Sequence, residues 1–222
     1  MYVTPPMPND PRLSARPRWL VIGPGFAALL GLALLTVIYR FDGRSALQMD
    51  LHLSAQSMLL TGLVAYLVPL LIGFPGGLAL GGRFPTGVSV PAIGLMLLGV
   101  LAVAFTPNVL VLLVGRVLGG LGAGAVLGVT VALIRQLGAG RGAAAGATAV
   151  LGVLALVIAP FLGALVTDAI GFRMVYMAAA VAVFFALVLA GIIGAVALAS
   201  AKPAAQPMAY GMPYPPQGPP RV

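Results

Sequence analysis

Apolar residues in this chain come in six long runs, at positions 19–39, 58–80, 88–105, 109–134, 143–166 and 175–198. A helix needs roughly 20 apolar residues to cross a hydrocarbon core of about 30 Å. Each run therefore predicts one membrane-crossing helix, the shortest of them over 88–105. The breaks between runs are built from turn-forming and charged residues. Residues 40–56 form the one sizeable loop and carry Asp42, Arg44, Asp50 and His52. A glycine/proline turn, GGRFPTG, follows at 81–87 with Arg83 in it, and Thr106-Pro107-Asn108 makes a tight turn, because proline disfavours helix in the residue before it. RQLGAGR at 135–141 and DAIGFR at 168–173 supply the last two breaks.

The first run has a basic lead-in, like a secretion signal, but a signal's apolar region runs only about 7–15 residues and ends at a small-residue cleavage site. Here the run ends Thr36-Val-Ile-Tyr-Arg40, so it predicts a retained membrane helix. The chain divides into a polar, proline-rich N-terminal tail (1–18), a six-helix transmembrane domain (19–198) and a proline-rich C-terminal tail (199–222). From Pro203 onward that tail has no apolar period and is expected to be disordered.

Composition points the same way. Of 222 residues, 61% are apolar and 7% charged, with a mean hydropathy of +1.11; a soluble domain carries about a quarter charged residues. Cysteine is absent, and one histidine with four acids leaves little material for hydrolytic or metal chemistry. No enzyme activity, cofactor or metal is expected. The net charge of +8 could suggest nucleic acid, but such binders concentrate their cations in one stripe. Here the cations sit singly between apolar runs, the pattern of membrane-flanking charge. If the N-terminus is cytoplasmic, the inside segments hold Arg12, Arg16, Arg18, Arg83, Arg135, Arg141, Lys202 and Arg221, against Arg40, Arg44 and Arg173 outside. That asymmetry obeys the positive-inside rule and puts both ends in the cytoplasm. The Ala, Gly, Val and Arg bias suits a GC-rich genome, and the reading is of a multi-pass protein in a bacterial inner membrane.

The fourth run is the most informative. It places Arg116 well inside an apolar stretch, where a charge costs about 2.5–3.5 kcal/mol on insertion scales. Arg116 either faces a cavity or partner, or snorkels to the outer interface. Gly120, Gly124 and Gly128 recur every fourth residue and form a bare stripe that lets another backbone approach. None of the six runs contains Asp, Glu or His, so no residue offers the intramembrane titration that proton-driven transport generally uses. Asp168 can pair with Arg173 across the last turn.

The segment Arg116-Val-Leu-Gly-Gly120-Leu-Gly122-Ala-Gly124 resembles the fourth-helix motif of the major facilitator superfamily, with Gly119 in place of the motif's glutamine. Arg141-Gly-Ala-Ala-Ala-Gly146 opens the fifth helix as in that family. Ala159-Pro160-Phe-Leu-Gly163-Ala164 is similar to its antiporter motif, and Gly171-Phe172-Arg173 with Tyr176 to its closing element. Asp50-Leu-His52-Leu-Ser54, before a helix with Tyr66, resembles its first outer loop. The resemblance spans residues 19–198 in order, but matches only the N-terminal six-helix half of the family's fold. The family's loop between helices two and three carries an acid; here the glycines and Arg83 remain without it.

The resemblance implies a half-sized transporter unit moving a small lipophilic or drug-like solute through a cavity lined by helices one and four. It implies Arg116, Gly120 and Gly124 at that cavity, and Arg83, Pro160, Gly163, Gly171 and Arg173 in gating or packing. A six-helix unit of this kind completes itself by dimerising or by joining a heterologous membrane partner. The alternative is an accessory or assembly subunit of a larger membrane complex that keeps the fold without the transport.

Overall fold

The computed structural model describes residues 18–37, 49, 51–137 and 140–200. The N-terminal tail to residue 17, the acids Asp42 and Asp50, and the C-terminal tail from 201 lie outside the described residues. All six predicted helices are present, each long and apolar enough to cross a membrane, and among the described residues there is no strand. A 3-10 turn, Arg18–Val21, leads into α1 (Ile22–Thr36). Helix α2 has three parts: an α-helical turn Ala55–Met58, a π-helical stretch Leu59–Val64, and the α-helix Ala65–Gly81. Then come α3 (Pro85–Ala104), α4 (Val109–Arg135), α5 (Arg141–Ile170) and α6 (Phe172–Ser200).

Local chemistry explains several ends. The Ser54 hydroxyl accepts from the Ser57 amide, 3.1 Å, and the Asn108 side chain from the Val111 amide, 3.0 Å. Each satisfies one of the donors a helix start leaves free. Pro85 opens α3 at its first position, where a missing N–H costs nothing. Two breaks are shorter than their sequences suggest. The 81–87 turn narrows to Gly82–Phe84, and DAIGFR contracts to Gly171 alone between α5 and α6. Asp168 and Arg173 are both exposed, so they fit the adjoining helical turns as readily as a loop.

Helix α4 is the axis of the bundle, packing on α1, α2 and α3; α1 packs on α4, α5 and α6, and α3 on α6. Exchanging α1 with α4, α2 with α5 and α3 with α6 maps this set of neighbours onto itself. Two faces of α4 are stripped to glycine. On one, a Cβ at Gly120, Gly124 or Gly128 would overlap the carbonyl oxygens of Tyr66, Leu70 and Phe74 on α2; Gly73 and Gly77 of α2 meet the α4 carbonyls of Leu121 and Ala125 likewise. On the other, Gly115, Gly119 and Gly122 lie against Gly99, Tyr66 and the Ala92–Met96 turn. Lipid tails are as apolar as leucine, so helices in a bilayer associate through this close van der Waals fit rather than by hiding apolar surface.

The core around α4 includes Tyr66, Ile93, Met96, Leu112, Val126 and Val183. Outward, the bundle presents Leu71, Ile72, Leu98, Leu110, Leu165 and Phe185, a surface suited to hydrocarbon. The contact registers make neighbouring helices in sequence antiparallel. Arg83, Arg135 and Arg141 thus share one end, tied by a hydrogen bond from Gln136 Nε2 to the Gly82 carbonyl, 3.1 Å. His52 and Arg173 belong to the opposite end.

Candidate functional site

Arg116 stands at the eighth residue of α4, about 10 Å along the helix at 1.5 Å per residue. Its side chain is 1% exposed, so it does not snorkel to an interface, and neither does it line an open cavity. The guanidinium lies over two tyrosine rings, with its carbon 5.5 Å from the Tyr66 centroid and 5.8 Å from that of Tyr176. Aromatic faces carry partial negative charge and stabilise a cation held above them. Nη1 donates to the Leu34 carbonyl of α1, 2.8 Å, and the Tyr66 hydroxyl donates to the Gly31 carbonyl of the same helix, 2.8 Å. Helices α1, α2, α4 and α6 thus meet on one buried cation. Gly31 makes the approach possible: it crosses α4 at Ala123, where a Cβ would stand 2.6 Å from the alanine methyl.

The cluster is incompletely paired. Arg116 Nε and Nη2 and the Tyr176 hydroxyl are buried without a hydrogen-bond partner among the described residues. An unmet buried donor costs about 1–3 kcal/mol, and more when it is charged. Two unpartnered nitrogens of a buried cation, with the ring of a tyrosine whose hydroxyl is also unpartnered against it, suit an acceptor-bearing group, an anion above all. Among the described residues no three His, Asp or Glu side chains gather to hold a metal.

The other sequence-nominated residues lie elsewhere. Gly120 and Gly124 fill the α2–α4 seam rather than lining a cavity. Arg83 is exposed in the α2–α3 turn, 5.9 Å from the Phe84 centroid. Pro160 and Gly163 are buried where α5 meets α1. Proline at 160 cannot donate to the carbonyl four residues back, and that carbonyl, of Leu156, instead accepts from the Thr36 hydroxyl of α1, 3.2 Å. Gly163 lets the Val37 carbonyl approach without a Cβ in the way. The Arg173 guanidinium lies 5.7 Å from the Phe172 centroid.

Gly171 is held at φ +89°, ψ 155°, a region essentially restricted to glycine. A Cβ there would meet nothing within 4 Å, so its requirement is conformational alone. Gly171→Ala is expected to destabilise by about 1–3 kcal/mol, visible as a lower midpoint in thermal unfolding of the detergent-solubilised protein, whereas Gly142→Ala, also in open space but helical, lowers nothing.

Sequence reasoning named Tyr66 and Tyr176 only as motif markers. Their signal is a tyrosine inside an apolar run, where a hydroxyl must find a partner, a signal that Tyr39 at the end of the first run shares. The Leu34 carbonyl had no signal, since any residue there supplies one. Compared with protein-family models the chain matches none, and no curated protein matches it.

Proposed function

We propose that this six-helix body is one half of a transporter of major-facilitator type, completed by a second six-helix body and moving a small lipophilic solute that carries a hydrogen-bond acceptor. The carrying observation is the Arg116 cluster, a buried cation with two unpaired nitrogens, held against the ring of a tyrosine whose hydroxyl is also unpaired. Leaving a buried cation half-paired is costly, and an acceptor from outside the resting fold would relieve that cost. The neighbour exchange between α1–α3 and α4–α6 supports the reading, because each half of these transporters is built from two inverted three-helix repeats. The two halves are themselves parallel repeats about an axis along the membrane normal. A second copy of this body in the same orientation, or a heterologous membrane partner, would reproduce that arrangement.

The test is counterflow in proteoliposomes with a panel of labelled lipophilic carboxylates. Saturable exchange that Arg116→Ala removes supports the proposal. A second reading, an accessory subunit without transport, is favoured by the lack of any carboxylate or histidine within the six apolar runs. It expects no saturable flux and a membrane partner that co-purifies with the wild-type chain and is lost with Arg116→Ala.

The proposal places the protein in a bacterial inner membrane with both ends cytoplasmic. Because the chain has no cysteine, single introduced cysteines report topology directly. In intact cells an impermeant maleimide is expected to label a cysteine at Ala169 but not at Gly142 or in the tail at position 210. The reverse pattern overturns the orientation.

A further inference from the structure

Helix α5 touches α1 through its middle, at Gly152 and Gly163, but its first three turns stand away from the bundle. A Cβ at Gly142 or Gly146 would meet nothing within 4 Å, whereas the seam between α2 and α4, which the neighbour exchange equates with the one between α5 and α1, is closed by glycine–carbonyl contacts along its length. The standing-off leaves a groove of about 740 Å³. Its walls are Leu32, Leu127, Val131, Val153 and Leu156, and its rim holds Arg135 and Arg141. Both arginines are exposed, one the last residue of α4 and the other the first of α5. The one described carboxylate, Asp168, belongs to the far end of α5. The wall's hydroxyl, Thr148, is spent on its own helix, donating to the Ala144 carbonyl at 2.9 Å.

We infer that this groove holds an acyl chain of an anionic phospholipid, whose phosphate sits between Arg135 and Arg141. The charge and the walls each select part of that ligand. Helix ends lie at headgroup depth, and basic pockets between membrane helices attract anionic headgroups. Arginine presents a planar fork of donors matched to phosphate. Below the pair, apolar walls offer a chain packing without offering a polar solute any partner. A zwitterionic lipid gains the same chain contacts but little from the arginine pair, so the site discriminates by headgroup charge. This site is separate from the Arg116 cluster and does not rest on the transport reading.

The test uses the full chain with its single tryptophan moved into the groove, Trp19→Phe with Ala149→Trp. It is reconstituted in phosphatidylcholine vesicles containing tail-brominated phosphatidylglycerol or tail-brominated phosphatidylcholine. Bromine quenches tryptophan on contact. Half-maximal quenching is expected at a lower mole fraction of the anionic lipid, by about fivefold for each arginine engaged and roughly 25-fold for both. R135Q and R141Q should each remove about fivefold of that preference, and R83Q, which deletes an equal charge at the same end, should leave it unchanged. Equal quenching by the two lipids overturns the inference, as does an equal loss of preference in R83Q, which would make the effect one of general surface charge. Displacement by millimolar glycerol phosphate would make the headgroup alone the ligand and overturn the chain site. Val153→Trp is a second reporter on the same wall, and it must give the same preference.

Discussion

On the transport proposal, replacing Arg116 by alanine is expected to abolish solute movement while expression and membrane insertion stay near wild type. The guanidinium contributes charge-assisted hydrogen bonds, each worth about 1.5–3 kcal/mol, so losing the two that its unpaired N–H groups can offer weakens solute binding by roughly ten- to hundredfold apiece. Arg116→Lys should restore activity in part only. Its ammonium keeps the charge over Tyr66 and Tyr176 but lacks the planar fork that serves the Leu34 carbonyl and a second acceptor together. Stability should move in the other direction from activity. Removing a buried, half-paired charge and filling its volume with an apolar side chain is often neutral or stabilising by about 1–4 kcal/mol. Arg116→Met is therefore expected to melt at or above the wild-type temperature while failing in counterflow. A methionine variant that both transports and melts normally would remove Arg116 from the mechanism; one that unfolds would make the residue a structural tie of α1 to α4.

The second large effect is expected at the seam between α2 and α4. Gly124→Leu should prevent recovery of monodisperse protein, and Gly124→Ala should already cost about 1–3 kcal/mol or more in a thermal melt, the range for overpacking. The reason is that the obstacle is backbone. An added Cβ at Gly124 runs into the Leu70 carbonyl, which cannot rotate away as a side chain can. The whole helix must shift, and with it the neighbouring contacts at Gly120 and Gly128. The contrast is Gly146→Ala on the exposed start of α5, where a Cβ meets nothing within 4 Å. Alanine there gains up to about 1 kcal/mol of helix propensity, so one chemical change should lower the midpoint at one site and hold or raise it at the other. Equal midpoints for the two alanine variants would mean that α2 and α4 are not in backbone contact.

These contrasts show which parts of the molecule were legible in the sequence. The six spans were, because membrane-crossing length is written in consecutive apolar residues and needs no partner to be recognised. The glycine stripe on α4 was legible as a contact surface, but its partner was not: the matching glycines at 73 and 77 sit in a run that also holds Gly62 and Gly76, and spacing alone does not say which helix each one faces. The boundary at Gly171 is narrower by several residues than the sequence predicts, since Asp168 and Arg173 look like loop residues until a helix end is allowed to carry charge. Arg116 stood out for its cost. What surrounds it could not be read, because two rings and a carbonyl converge on it from three other helices. The stand-off of α5 was equally hidden, for its first turns are as apolar and small as those that pack.

The π-helical stretch at Leu59–Val64 carries a consequence for insertions and deletions. There the Ala65 amide reaches back five residues to the Leu60 carbonyl, so this turn holds one residue more than an α-turn would. It is the place where α2 can lose a residue and remain in phase. Removing Thr61 would tighten the stretch to an ordinary turn and leave Tyr66 facing Arg116. Removing a residue between Tyr66 and Gly73 would rotate everything beyond it by about 100°, swinging Gly73, Gly77 and Gly81 off α4. Length variation in α2 is thus tolerable ahead of the tyrosine and forbidden behind it.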